Sequence, residues 1–158
     1  MSRIRTQFGP VGNFEITING LISSTARSSA LVANHDSRYI DAICQFTIKP
    51  ASGAFTDRYA VFFFAWGSAD EASPIFPIGI TGIDQPVVVA LETLSLRPIG
   101  SLYLTGSAAQ VSPPFSVAPA FGNVLPPVWG ILVVNRCGVA LDAAENSGIW
   151  RGIEFEVF

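Results

Sequence analysis

Helices have little place in this chain. Eleven prolines and fourteen glycines are scattered between short apolar runs, and no stretch of about twelve residues repeats its apolar positions at the helical period of 3.6. What recurs instead is a period of two. Across 39–49, Ile40, Ala42, Cys44, Phe46 and Ile48 fall on one side of an extended chain, with Asp41, Gln45 and Thr47 on the other. This predicts a strand with one face on a core and the other at least partly wet.

The same signal predicts a first strand over 13–19, where Phe14, Ile16 and Ile18 oppose Glu15 and Thr17 ahead of the turn pair Asn19-Gly20. The run 58–66 is different. Tyr59, Val61 and Phe63 point one way, Phe62, Phe64 and Trp66 the other, so both faces need cover, either from a loop above a central strand or from another subunit. Further strands are expected over 87–91, 100–105, 115–117, 129–135 and 149–157, each bounded by Pro, Gly, Asn or Ser. In the last, Ile149, Ile153, Phe155 and Val157 share a face with Arg151. Glu154 and Glu156 lie opposite, beside Trp150 and Gly152, on what reads as an exposed sheet face or subunit rim.

About eight short strands at this spacing indicate an all-β fold, a two-layer β-sandwich with jelly-roll-like connectivity, because one flat sheet cannot bury so many two-sided strands. The 158 residues suit a single domain spanning 1–158, with residues 1–12 as an extended arm.

Charge narrows the partners. Only 13% of the residues are charged and 49% are hydrophobic, against roughly 25% charged in an ordinary soluble domain. The net charge is −3 and Lys49 is the sole lysine, so no concentrated basic patch for nucleic acid is expected. The apolar run 59–66 falls far short of the ~20 residues of a membrane-crossing helix. The start Met1-Ser2-Arg3-Ile4-Arg5 lacks the apolar segment of a secretion signal. Cys44 and Cys137, both inside apolar strands, are expected to be free, buried thiols.

No catalytic constellation emerges, and the chain is not expected to be an enzyme or to hold a cofactor or metal. His35, the only histidine, lies in the polar run Ala33-Asn34-His35-Asp36-Ser37 and reads as a solvated loop residue without a partner. A Ser-His-Asp triad is a geometric object that adjacent loop residues rarely form. The carboxylate pairs Asp70-Glu71 and Glu154/Glu156 read as surface groups. The run 142–147 lacks the ligand spacing of a calcium loop. Phe62, Phe64, Trp66, Phe76, Trp129 and Trp150 exceed what one face of a small sandwich needs; exposed, they would stack on sugars or anchor a protein contact. The candidate interface is therefore Phe62, Phe64 and Trp66, joined by Phe76 and Phe115 from proline-bounded loops.

One long stretch carries a family likeness. Phe115-Ser116-Val117-Ala118-Pro119-Ala120-Phe121-Gly122 is followed by Leu125-Pro126-Pro127-Val128-Trp129-Gly130-Ile131-Leu132-Val133-Val134-Asn135, then Gly138-Val139-Ala140-Leu141 and Trp150-Arg151-Gly152-Ile153. It resembles small virion structural proteins of tailed bacteriophages, which often carry a Leu-Pro-x-x-Trp-Gly-Ile-Val-Val-x-Asn-x-Thr-Gly-x-Ala-Leu run; Cys137 stands where they have a small hydroxyl or polar residue. The likeness also touches 23–33 and 39–49. It implies a virion component made in the host cytoplasm: a capsid decoration (cement) protein, homo-oligomeric and by analogy trimeric, bound to other virion proteins such as the major capsid protein. The alternative is a neck, baseplate or tail-fibre component acting as a carbohydrate- or receptor-binding module.

Overall fold

The computed structural model describes residues 4–52, 60–88 and 96–157. Among them run eleven strands: β1 (Ile4–Asn13), β2 (Ala26–Ser28), β3 (Val32–Ala33), β4 (Asp41–Ile48), β5 (Ala60–Ser68), β6 (Gln85–Val87), β7 (Arg97–Tyr103), β8 (Gln110–Val111), β9 (Phe115–Ser116), β10 (Val128–Asn135) and β11 (Ser147–Val157). They form two antiparallel sheets. The first has the order β1-β11-β4-β8, with β9 also on β4; the second has the order β6-β2-β10-β5-β7, with β3 on β10. No helix among the described residues is long and apolar enough to cross a membrane.

The all-β expectation holds, and the two sheets share one core, consistent with a sandwich. Strand β4 supplies Ala42, Cys44, Phe46 and Ile48 from the first sheet, while Val61, Phe63, Ala65, Trp129, Ile131 and Val133 come from the second. Phe46 ties the layers together: its ring lies 5.7 Å from Phe14 and 4.1 Å from Phe63, nearly parallel to both. Ile40 precedes β4 and is only half-buried. Strand β10 is buried along its whole length. Its alternate residues Val128, Leu132 and Val134 enter a second, smaller apolar cluster on the other side of the second sheet.

Three expectations are corrected. Residues 4–13, read partly as an arm, form β1, laid antiparallel along β11 from Ile4↔Val157 to Asn13↔Ile149 with a bulge between Phe8 and Val11. The segment 14–19 is not the first strand. Its backbone leaves the ladder: Glu15 O accepts from Ala30 N, and Thr17 N donates to the Asp84 carboxylate. Phe14 and Ile18 remain buried without strand pairing.

The third correction concerns which face of β11 turns inward. The buried face is Gly148, Trp150 and Gly152, and the more apolar face of Ile149, Ile153 and Phe155 turns out. Ring volume on the neighbouring elements is the reason. Phe46 occupies the space a side chain at 148 would need, with Cε1 2.6 Å from where a Cβ would sit, and the Tyr39 ring lies flat on Gly152. Trp150 completes the layer, edge-on to Trp129 at 5.6 Å.

Other differences are small. Strand β5 begins at Ala60, and residues 58–59 lie outside the described residues, as do 89–91 of the strand expected over 87–91. The expected strand 100–105 runs instead from Arg97 to Tyr103. Strands β2, β3 and β8, of two or three residues each, were too short to show a period.

Candidate interaction surface

The candidate interface divides between two places. Phe62, Phe64, Trp66 and Phe76 do meet, in the second cluster on the outer face of the second sheet. That face is roofed by the chain itself. The segment after β5 folds back so that Phe76 packs edge-on to Trp66 at 5.6 Å, with Ile80, Val87 and Leu96 alongside. Trp66 is 1% exposed and presents no free face; Phe62, Phe64 and Phe76 are half-buried. A loop above a central strand thus provides most of the cover that the two-sided pattern demands. Phe115 is elsewhere, against the main core, 5.5 Å from Phe63.

Among the described residues, no segment roofs the outer face of the first sheet in this way. The register aligns Phe8 with Ile153, Val11 with Arg151 and Thr6 with Phe155, and on the far side of β11 it aligns Arg151 with Ile43 and Ile149 with Gln45. Residues directly opposite one another share a face, so these side chains form one continuous surface. It is apolar and open: Ile4 is 69% exposed, Phe8 51%, Val11 57% and Phe155 59%. Arg151 lies across its middle, donating from Nε to Gly9 O at 3.0 Å, with its guanidinium 5.4 Å from the centre of the Phe8 ring. A shallow hollow of about 150 Å³ lies between Phe8, Ile43, Ile149 and Arg151. Sequence reasoning missed this face because it assigned the apolar side of β11 no exposed role. Smaller exposed apolar groups, Ile75, Ile78 and Ile83, project from the roof segment.

Several of the polar groups hold neighbouring segments together. His35 is exposed but not unpartnered, since its Nδ1 lies 2.6 Å from Glu71 Oε1. Arg38 binds Glu154 through Nε at 2.6 Å and Nη2 at 3.0 Å, and this hydrogen bonding holds the Glu154 carboxyl below its ordinary range. Arg5 binds Glu156 at 2.8 Å. A carboxyl poised as a general acid needs its pKa raised, and Glu154 is shifted the other way. Lys49 fills the acidic loop 142–147, with Nζ 2.8 Å from Glu145 Oε1 and its own pKa raised by that bond. Burial pushes the Cys44 thiol well up, helped by Asp41, and Cys137 is buried and free as well. Among the described residues no group of three or more His, Cys, Asp or Glu converges as metal ligands would.

No protein-family model, curated protein or solved structure matches the chain.

Asp41 and Asp84 tie segments distant in sequence together. Asp41 accepts from Ser116 Oγ, Val117 N and Ala118 N, fixing β9 and the turn after it to β4. Burial pushes the Asp84 carboxyl up, but hydrogen bonds from Arg27 and Thr17 outweigh it and hold the group below its usual range. That clamp joins the irregular segment 14–19 to β2.

Proposed function

We propose that this chain is a structural subunit of a tailed-bacteriophage virion, a decoration (cement) protein that docks as a homo-oligomer on other virion proteins such as the major capsid protein. The observation that carries the reading is the uncovered apolar face of the first sheet. The second sheet's outer face is roofed by its own loop, whereas this one leaves Ile4, Phe8, Val11 and Phe155 in water. Contiguous apolar surface of this kind marks protein contacts.

Strand order is compatible with this reading without selecting it. Taking β1, β2, β4, β5, β7, β9, β10 and β11 as first to eighth, the sheets run first-eighth-third-sixth and second-seventh-fourth-fifth. With the short strands β3, β6 and β8 set aside, this order supports a jelly-roll-like connectivity, an architecture shared by viral capsid proteins and lectins, so fold alone does not decide between docking and sugar binding. The likeness of 115–153 to phage virion proteins fits either role, and the uncovered apolar face favours docking. A sugar platform has less support, because Trp66 and Trp129 are buried and Trp150 is half-buried.

Particles purified from the phage that encodes this chain should contain it as a stoichiometric component. Phe155→Glu or Val11→Glu, folded by circular dichroism, should be lost from them. Absence of the chain from purified particles, or retention of both variants at the wild-type level, overturns the reading.

A further inference from the structure

The edges of the two sheets are not equally protected. Strand β6 is three residues long and contains Pro86, β8 and β9 have two residues each, and β7 opens with Arg97-Pro98. Short strands, prolines and charges are the ordinary means of blocking edge-to-edge pairing. Strand β1 has ten residues, and its first half, Ile4-Arg5-Thr6-Gln7-Phe8, lies before the bulge and contains no proline and one charge.

The direction of its backbone groups follows from the ladder. Phe14 N donates to Gly148 O at 2.9 Å, which marks 14/148 as a hydrogen-bonded pair. Alternation along β11 then turns the backbone groups of Gly148, Trp150, Gly152, Glu154 and Glu156 toward β1. Strand β4 agrees, since Ala42 O and Phe46 O accept from Val117 N and Ser112 N on its side away from β11. Glu154 and Glu156 stand opposite Gln7 and Arg5. Arg5 and Gln7 therefore use their backbone groups inward, and Ile4, Thr6 and Phe8 aim theirs at the edge that no other described strand pairs, the open edge.

We propose that two copies of the chain pair antiparallel through β1 about a twofold axis at Thr6, merging their first sheets into one. A twofold axis normal to the sheet keeps the apolar faces on the same side. Centred on Thr6, it sets Ile4 opposite Phe8 of the second copy, an aliphatic-aromatic cross-strand pair, and Arg5 opposite Gln7. Across the other face the row reads Glu156, Arg5, then Gln7 and Glu154 of the second copy, with no like charges opposed. Neighbouring registers are worse. Centring on Arg5 opposes two arginines, and centring on Gln7 sets Ile4 against Pro10, in the bulge, which has no N–H to give. This pairing uses the sheet's edge, not its outer face, and stands independently of the virion reading. It also differs from the trimer that the family likeness implies.

Light scattering and sedimentation of the purified chain test it. The wild type is expected to be a dimer. Thr6→Pro removes only an N–H aimed at the open edge and should give a folded monomer at the same concentration. Thr6→Cys should form a disulfide-linked dimer on oxidation, and Arg5→Cys should not, because its twofold mate is offset by two residues. A wild-type monomer at the highest soluble concentration, a trimer, a dimer that survives a folded Thr6→Pro, or failure of Thr6→Cys to cross-link each overturns the proposal. A monomer would leave the edge to a strand of another protein.

Discussion

Replacing Gly148 with alanine tests the inward face of β11 most directly. A Cβ there would lie 2.6 Å from Phe46 Cε1, 2.7 Å from Cδ1 and 3.0 Å from Phe14 Cδ2, against ordinary carbon contacts of about 3.5–4 Å. Phe46 must retreat by nearly an ångström. It has nowhere to go, being wholly buried and stacked on Phe63 at 4.1 Å. Overpacking of this kind costs about 1–3 kcal/mol, and the entropy that alanine saves in the unfolded chain returns only about 0.4–1 kcal/mol. A net loss of about 1–2 kcal/mol is expected, lowering the melting temperature by roughly 2–8 °C for a domain of this size. Phe155→Ala is the control from the opposite face. With 59% of the residue already exposed, its loss should cost no more than about 1 kcal/mol. Both variants are compared by urea unfolding followed by tryptophan fluorescence, in protein dilute enough to be monomeric. A neutral or stabilising Gly148→Ala together with a Phe155→Ala loss above about 3 kcal/mol would show that the faces are the other way round.

Phe46→Ala removes the ring that joins the two layers and should cost about 3–5 kcal/mol; a loss under about 1 kcal/mol in the same assay rejects the shared core. Asp84→Asn should cost about 1–3 kcal/mol, because charge-assisted bonds from Arg27 and Thr17 are weakened. A carboxyl held below its usual range stabilises the fold above the unfolded-state pKa, and this stability is lost as pH falls through the folded-state value. The Asp84→Asn variant should therefore lose less stability than wild type between neutral pH and pH ~3, and parallel curves would refute the clamp. Cys44 and Cys137 should resist an aromatic disulfide reagent in native buffer and react on unfolding, whereas rapid native labelling would contradict their burial. His35→Asn, removing one exposed contact with Glu71, should leave the unfolding midpoint unchanged within error.

Local pattern was enough wherever one strand's own alternation sets its burial. In β4, Ala42, Cys44, Phe46 and Ile48 are buried, as their period of two requires, β5 read correctly as a strand with two apolar faces, and β10 read correctly as a strand. The absence of helical periodicity likewise excluded most other folds. Three matters could not be read this way. The roof over Phe62, Phe64 and Trp66 comes from a segment without periodicity, held by its contacts with the sheet. The pairing of β1 with β11 joins residues some 140 positions apart, and the Ile4–Asn13 segment shows no clean alternation until its partner is known. Which face of β11 is buried was decided by space. Counting apolar residues favours Ile149, Ile153 and Phe155, but the rings of Phe46 and Tyr39 from neighbouring elements demand a bare backbone beside them, and only Gly148 and Gly152 offer it. Sequence determines how many apolar groups each face of a strand can offer. Packing in three dimensions determines which face has room to be covered, and here the more apolar face was left outside, where it forms the candidate interaction surface.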